Sequence, residues 1–402
     1  MKQRVYSSLK DFSQMNRRTF VKTVGAGTAA VSGLILGNSY SYASPTEEVV
    51  TNISDFMNVP KSKSALPGPF PGKVIQVRDR NALVEDKFDA KTISEMFDTG
   101  LKSLTGINRK KSFELLFTKS DVVGIKVNPV GAPLINTRPE VVEAIIAWLS
   151  ENGLPKSQII VWDRFDYMLK DAGFTKERFP GVQLIGLQTM DEEGNNWKDA
   201  EGKHLSIDNF DTTNYYYAKG IIGKDVRGYK DDENYLNQHV YNTEYSYFGK
   251  LLTQKLTKII NVAAFKNTGN GISMATKNLG YGSLCNTGRL HAPLFFKVCT
   301  EVLAAPVIRD KLVLNITDAL RAQYDGGPDK NAQFVYPNHS LYFATDPFAL
   351  DMLCHTHIVA KRKEMGVKVN ENPRFTDYLH YAEKLGLGIA DEKKINLILK
   401  ES

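Results

Sequence analysis

Cysteine is scarce in this chain: three in 402 residues, at Cys285, Cys299 and Cys354, with no C-x-x-C pair. An odd count at wide spacing argues against a disulfide framework, and no iron–sulfur cluster is expected. Buried free thiols are the expectation. Long apolar runs are also missing. The stretch from Thr23 to about Gly37 is short and rich in Gly, Ala and Thr, so no stable membrane span is expected. Beyond residue 43 there is no G-x-S-x-G, H-E-x-x-H or P-loop pattern, which removes the common hydrolase, zinc-protease and nucleotide-loop signatures. Apolar residues at 42% and charged residues at 24% are ordinary for a globular protein and exclude disordered, collagen-like and coiled-coil classes.

The net charge of +6 invites a nucleic-acid reading. Its distribution removes that reading. Residues 1–43 hold Lys2, Arg4, Lys10, Arg17, Arg18 and Lys22 against Asp11 alone, so the remainder is close to neutral. No nucleic-acid partner is expected. The same segment contains Asn16-Arg17-Arg18-Thr19-Phe20-Val21-Lys22, then the weakly apolar stretch, then Ser41-Tyr42-Ala43. A basic start, a short apolar region and a small-residue site describe a signal peptide, here of the twin-arginine type, cut after Ala43. The implied partner is the twin-arginine export machinery and the implied location is periplasmic. Gly25-Ala26-Gly27-Thr28-Ala29-Ala30 imitates a dinucleotide fingerprint. No strand precedes it and it lies in the removable segment, so it is discarded.

Residues 44–72, with Pro67-Gly68-Pro69-Phe70-Pro71-Gly72, read as a linker. Residues 73–402 read as a single α/β domain. Strand patterns cover Lys73–Val77, Asp121–Val127, Gln158–Trp162, Val182–Leu187, Lys258–Ala264, Lys311–Ile316, Ser340–Thr345 and Ile395–Leu399. Helical patterns fall between them, at Lys91–Leu104, Thr137–Glu151, Leu294–Leu303, from Pro347 to about Glu364, and at Arg374–Leu385. Thr137 with Glu140 predicts a capping box. Strand–helix alternation predicts a mainly parallel sheet with helices on both faces. Residues of about 188–245 interrupt it with Asp, Asn, Gly and a crowd of tyrosines. This insertion predicts loops and short antiparallel strands, or a binding surface.

In such a sheet, ligands bind beyond the carboxyl ends of the strands. Four strands run there into polar residues. They are Lys126 with Asn128; Lys266 with the Gly269–Gly271 loop and Lys277-Asn278; Asp318 with Asp325-Gly326-Gly327-Pro328; and Thr345-Asp346-Pro347 with Asp351. Together with Leu385-Gly386-Leu387-Gly388, these segments resemble the prokaryotic family catalogued as domain of unknown function 362. The resemblance implies a fold and site positions but no reaction. Some relatives carry cysteine-rich iron–sulfur segments, which are absent here.

The residue types suggest an anion site, because lysine heads are mobile point charges and glycine amides approach oxyanions closely. Lys126, Lys266, Asp351 and His291 form the catalytic set, with His291 as acid or base. Asn128, Gly269, Gly271, Lys277, Asn278 and Gly326 form the ligand set. Asp318, Asp325 and Asp346 offer oxygens to a divalent metal ion. Duller roles stand beside these. Asp346 before Pro347 is a strong helix cap, and Asp325-Gly326-Gly327-Pro328 is a strong turn. Two functions follow: an enzyme-like protein taking a small anionic ligand with metal assistance, or a non-catalytic periplasmic binding protein whose tyrosine-rich insertion meets a glycan or a protein.

Overall fold

The computed structural model describes residues 49–188, 209–222, 243–291 and 294–401. The signal segment and most of the tyrosine-rich insertion lie outside these residues. The strands in chain order are β1 (Lys73–Arg78), β2 (Leu83–Val84), β3 (Lys87–Phe88), β4 (Val123–Lys126), β5 (Ile159–Phe165), β6 (Gln183–Gln188), β7 (Phe210–Tyr217), β8 (Tyr245–Gly249), β9 (Lys258–Thr268), β10 (Gly271–Ile272), β11 (Leu312–Gln323), β12 (Val335–Ala344) and β13 (Asn396–Glu401). The main sheet runs β13-β1-β12-β11-β9-β4-β5-β6. Neighbours are parallel except at β12, which is antiparallel to both β1 and β11. The protein is therefore α/β with a mainly parallel sheet, as the alternation predicts.

Alternate residues of each strand feed opposite faces. From β9, Ile260 and Val262 join a core with Phe97 and Leu101 of the helix Ala90–Thr105 and Ile145 and Leu149 of the helix Pro139–Glu151. Ile259 points the other way, toward Leu279 of the helix Ala275–Gly282, Val302 of Lys297–Ala304 and Leu379 of Asp377–Lys384. Phe265 joins Leu350 and Cys354 of Pro347–Glu364. Helices thus cover both faces. This accounts for the near-continuous apolar runs of the central strands. All three cysteines are buried and free. No helix among the described residues is long and apolar enough to cross a membrane.

Several expectations need correction. Residues 49–72 are docked on the domain. The wholly buried Arg309 guanidinium donates to the carbonyls of Phe56, Val59 and Pro60 at 3.0, 3.1 and 3.2 Å. Its own carbonyl accepts from the Leu66 amide at 2.9 Å. A Pro/Gly-rich sequence looked like a tether because its partners lie some 250 residues away. Thr137 does not cap the helix Pro139–Glu151. Its Oγ1 donates to the Val262 carbonyl at 2.6 Å and accepts from the Asn128 amide at 2.8 Å. The Arg138 amide at that helix start is taken by Asp318 Oδ2 at 2.7 Å. Strands β9 and β11 run on past Ala264 and Ile316, so Lys266 and Asp318 sit within strands.

In the insertion, β7 and β8 form the expected antiparallel pair. Tyr245 packs on Tyr215 and Tyr217 at ring separations of 5.0 and 5.2 Å. Those tyrosines are therefore cross-strand partners.

The strand order locates the site. From β4 the chain proceeds outward to β5 and β6. It then returns to the other side of β4 as β9 and proceeds to β11. The direction of winding reverses between β4 and β9. The crevice at their carboxyl ends is where ligands bind in open α/β sheets.

Candidate functional site

Three lysines of the sequence reading lie around this crevice, and the structure gives them different fates. Lys126, from the end of β4, is 1% exposed. Its ammonium donates to Asp163 Oδ1 at 2.5 Å, Asn278 Oδ1 at 2.8 Å and the Val127 carbonyl at 2.8 Å. An ammonium has three donors, and all three are used. Burial lowers the Lys126 pKa and the Asp163 carboxylate opposes that shift. Gly282 makes the room: a Cβ there would sit 2.5 Å from Lys126 Cε and 2.8 Å from Nζ.

The Lys126 contacts open onto a buried polar chain. Asn278 Nδ2 donates to Asn261 Oδ1 at 2.8 Å, and Asn261 Nδ2 donates to Asn315 Oδ1 at 3.0 Å. Asn315 Nδ2 donates to the Thr345 carbonyl at 3.2 Å. This chain links β5, β4, β9, β11 and the end of β12 through the core. Its members Asp163 and Asn261 escaped the sequence reading, and Asn315, at the polar end of its strand, was not placed in the site. The signal was present, since Asn261 and Asn315 are amides inside otherwise apolar strands. Buried amides must find partners.

Lys266 is fully buried. Its ammonium meets Asn128 Oδ1 at 3.0 Å and the Val130 carbonyl at 2.6 Å, both from the segment after β4. Among the described residues it has no ion-pair partner. Burial, with help from the Lys277 charge, pushes its pKa down to about 7. Lys277, on the helix Ala275–Gly282, is half-buried and meets only Thr268 Oγ1, at 3.5 Å. Its head lies 5.4 Å from the centre of the Phe295 ring and 5.9 Å from that of Tyr281. Burial pushes its pKa down to about 8. The His291 ring packs at a 40° tilt on Tyr281, 4.4 Å between ring centres, and its Nδ1 lies 2.9 Å from the Thr287 carbonyl. Burial first, and the Lys277 charge second, push His291 down to about 3, so it is neutral.

The carboxylates are used elsewhere. Asp351 accepts from the Ala275 amide at 2.9 Å and from the amide and hydroxyl of Thr276 at 2.8 and 2.6 Å. It anchors the start of the helix that carries Lys277 and Asn278. Asp318 accepts from the amides of Arg138 and Leu320, on the opposite face of the sheet. Asp325 pairs with Arg362, which also bonds Asn270. Asp346 is the helix cap: its Oδ1 accepts from the amides of Phe348 and Ala349, and its Oδ2 from those of Gly72 and Ile389. Burial raises Asp318, Asp346 and Asp351 to about 6 each. The structure does not bring Asp318, Asp325 and Asp346 together. Among the described residues, no three His, Cys, Asp or Glu side chains form a group suited to a metal ion.

The glycines also serve the fold. Gly269 (φ +53°) turns β9 into β10, and its amide faces the Gly327 carbonyl at 3.5 Å. Gly271 packs against Phe296, and Gly326 (φ +70°) shapes the turn after β11. The expected glycine cradle is thus largely occupied by its own turn. A depression of about 680 Å³, lined by Phe113, Thr118, Lys119 and Gly153 among others, lies at the opposite, amino-terminal side of β4.

The cap gives a direct prediction. Asp346→Ala removes two helix-start bonds and leaves the Gly72 and Ile389 amides without an acceptor. A stability loss of about 2–3 kcal/mol is expected, read as a lower denaturant midpoint at unchanged slope.

A family model described as Domain of unknown function (DUF362) matches residues 123–356, from β4 into the helix Pro347–Glu364. That is more than half of the chain and contains the whole crevice. The chain belongs to the DUF362 family. The matched region contributes Lys126, Lys266 and Lys277, together with Asp163, Asn261 and Asn315. The DUF362 boundaries exclude β1 and β13, the strands beyond β12. No curated protein matches. Among solved structures, a Thermotoga maritima protein from a structural-genomics consortium is similar at 11% identity and a TM-score of 0.35. The match covers 70% of this chain and 60% of that one.

Proposed function

We propose that this DUF362 protein takes a small anion, a carboxylate or phosphate, into the crevice between β4 and β9, with Lys266 and Lys277 as its cationic holders. One observation carries the reading. Among the described residues, both amines at the switch point have no carboxylate partner, whereas Lys126 beside them is neutralised by Asp163. Lys266 has one donor unspent and Lys277 has two. A bound anion would supply the missing acceptors. It would also relieve the repulsion between the two ammonium groups. The aspartates of the sequence reading are spent on helix starts and an arginine, so the proposed site needs no metal. We further infer export by the twin-arginine route from Asn16–Lys22 and Ser41–Ala43.

Titration calorimetry with inorganic phosphate and with pyruvate tests the site. Binding is expected at pH 7 and should weaken above pH 8. The free amines titrate near 7 and 8, so beyond that range each must take up a proton when the anion binds. Affinity should then fall about tenfold per pH unit for each proton taken up. Lys277→Met should lose at least about tenfold at pH 7, the effect of one charge-assisted contact. Binding that is insensitive both to pH and to Lys277→Met would refute the proposal.

A further inference from the structure

The two unpaired lysines differ in a way that anion binding alone does not use. Lys266 is sealed in the sheet. Its Nζ spends two donors on Asn128 Oδ1 and the Val130 carbonyl and, among the described residues, keeps one for an anion. Lys277 is half-buried, and its Nζ has a single long contact to a neutral hydroxyl. Its walls are aromatic. The Tyr281 hydroxyl is tied to the Phe295 carbonyl at 2.7 Å, and the His291 ring packs on Tyr281 at a tilt of 40°. An amine flanked by aromatic rings, beside a second cation, has the environment that activates lysine as a nucleophile.

We infer that Lys277 forms an imine with the carbonyl group of an anionic substrate whose carboxylate or phosphate is held by Lys266. This rests on the anion site proposed above and adds the chemical class of its ligand: an oxo acid or a phosphorylated aldehyde or ketone. The neutral Nζ adds to the carbonyl carbon, forming the C–N bond. Both Nζ protons then leave with the carbonyl oxygen as water, and a C=N bond replaces C=O. No oxidant or reductant is needed. Lowered basicity at Lys277 keeps a fraction of the amine neutral near pH 7. The imine nitrogen becomes an iminium by taking up one proton from solvent, and the neutral His291 adds no further positive charge to repel it. The Phe295 and Tyr281 rings limit the water available to hydrolyse it.

The test is reductive trapping of the full-length protein with pyruvate and sodium borohydride, followed by intact mass and peptide mapping. One reductively attached pyruvate is expected, on Lys277, and it should vanish in Lys277→Met. Acetone, which has the carbonyl but no carboxylate, should label at least about tenfold less, since it forgoes the charge-assisted contact. Lys266→Met should raise the pyruvate concentration needed for half-labelling. Calorimetric binding of phosphate with no pyruvate adduct on Lys277 overturns the imine and leaves the anion site standing. An adduct spread over surface lysines and unchanged in Lys277→Met also overturns it. Absence of both phosphate binding and the adduct overturns the site itself.

Discussion

Lys126→Met is expected to destabilise the protein by about 3–5 kcal/mol, the range found when one partner of a buried ion pair is removed. Among the described residues, the Lys126 head is the donor to Asp163 Oδ1, and it also satisfies Asn278 Oδ1 and the Val127 carbonyl. Without it, a buried carboxyl group loses its ion-pair partner, and two neutral acceptors lose theirs. The loss also reaches the helix Ala275–Gly282, because Asn278 joins Lys126 to Asn261. Urea denaturation at pH 7 should show a lower midpoint at unchanged slope. The double variant Lys126→Met/Asp163→Leu should recover much of the loss, since it removes both charges together. A double variant as unstable as the single one would show that the Asn278 link, and not the ion pair, carries the stability.

Lys266→Met should do the opposite near neutral pH. The Lys266 pKa falls from 10.5 to about 7 on folding, so the folded state prefers the neutral amine. The stability associated with that preference is fully present above pH 10.5 and is lost as pH falls through 7. A shift of that size corresponds to about 5 kcal/mol across the whole window, as an order of magnitude. Between pH 7 and 10 the unmodified protein should therefore gain about 3–4 kcal/mol relative to Lys266→Met. The variant should equal or exceed it in stability at pH 7, less the cost of leaving Asn128 Oδ1 and the Val130 carbonyl unpaired. Anion affinity should fall in the same variant. A lysine that costs the fold stability while serving binding is the signature of a functional site. Denaturation midpoints measured from pH 6 to 9 would decide it. A Lys266→Met protein that is less stable at every pH, with an undiminished pH slope, would contradict the assignment.

Local pattern carried the fold a long way. The helix at Ala90–Thr105 follows from its amphipathic spacing. The helix Pro347–Glu364 follows from Asp346 as cap and Pro347 in its first turn, and both are observed. The buried strands β4, β5 and β9 follow from β-branched runs. What local pattern missed has a common cause. The apolar patterns of β9 and β11 end at Ala264 and Ile316, yet both strands continue because they pair with each other there and the turn after β11 supplies partners for the side chains of Asn267 and Gln323. Thr137 looked like a cap, and tertiary contacts from Val262 and Asn128 claimed its hydroxyl first. The segment 44–72 reads as a linker, yet its described part, 49–72, is docked on the domain; local pattern misses this because Arg309, its main anchor, is far away in sequence.

The sequence by itself determined the element order, the mainly parallel sheet, and the collection of lysines and aspartates near its strand ends. Periodicity and capping act over a few residues and leave a local record. Only the tertiary structure decided which of those charges are free. Lys126 meets Asp163 across 37 positions, and Lys266 meets Asn128 across 138. Asp351 turns to Thr276 across 75. Whether a buried charge is neutralised depends on such long-range neighbours and on the water they exclude. Three lysines that look alike in the sequence therefore become one structural ion pair and two amines that, among the described residues, have no carboxylate partner.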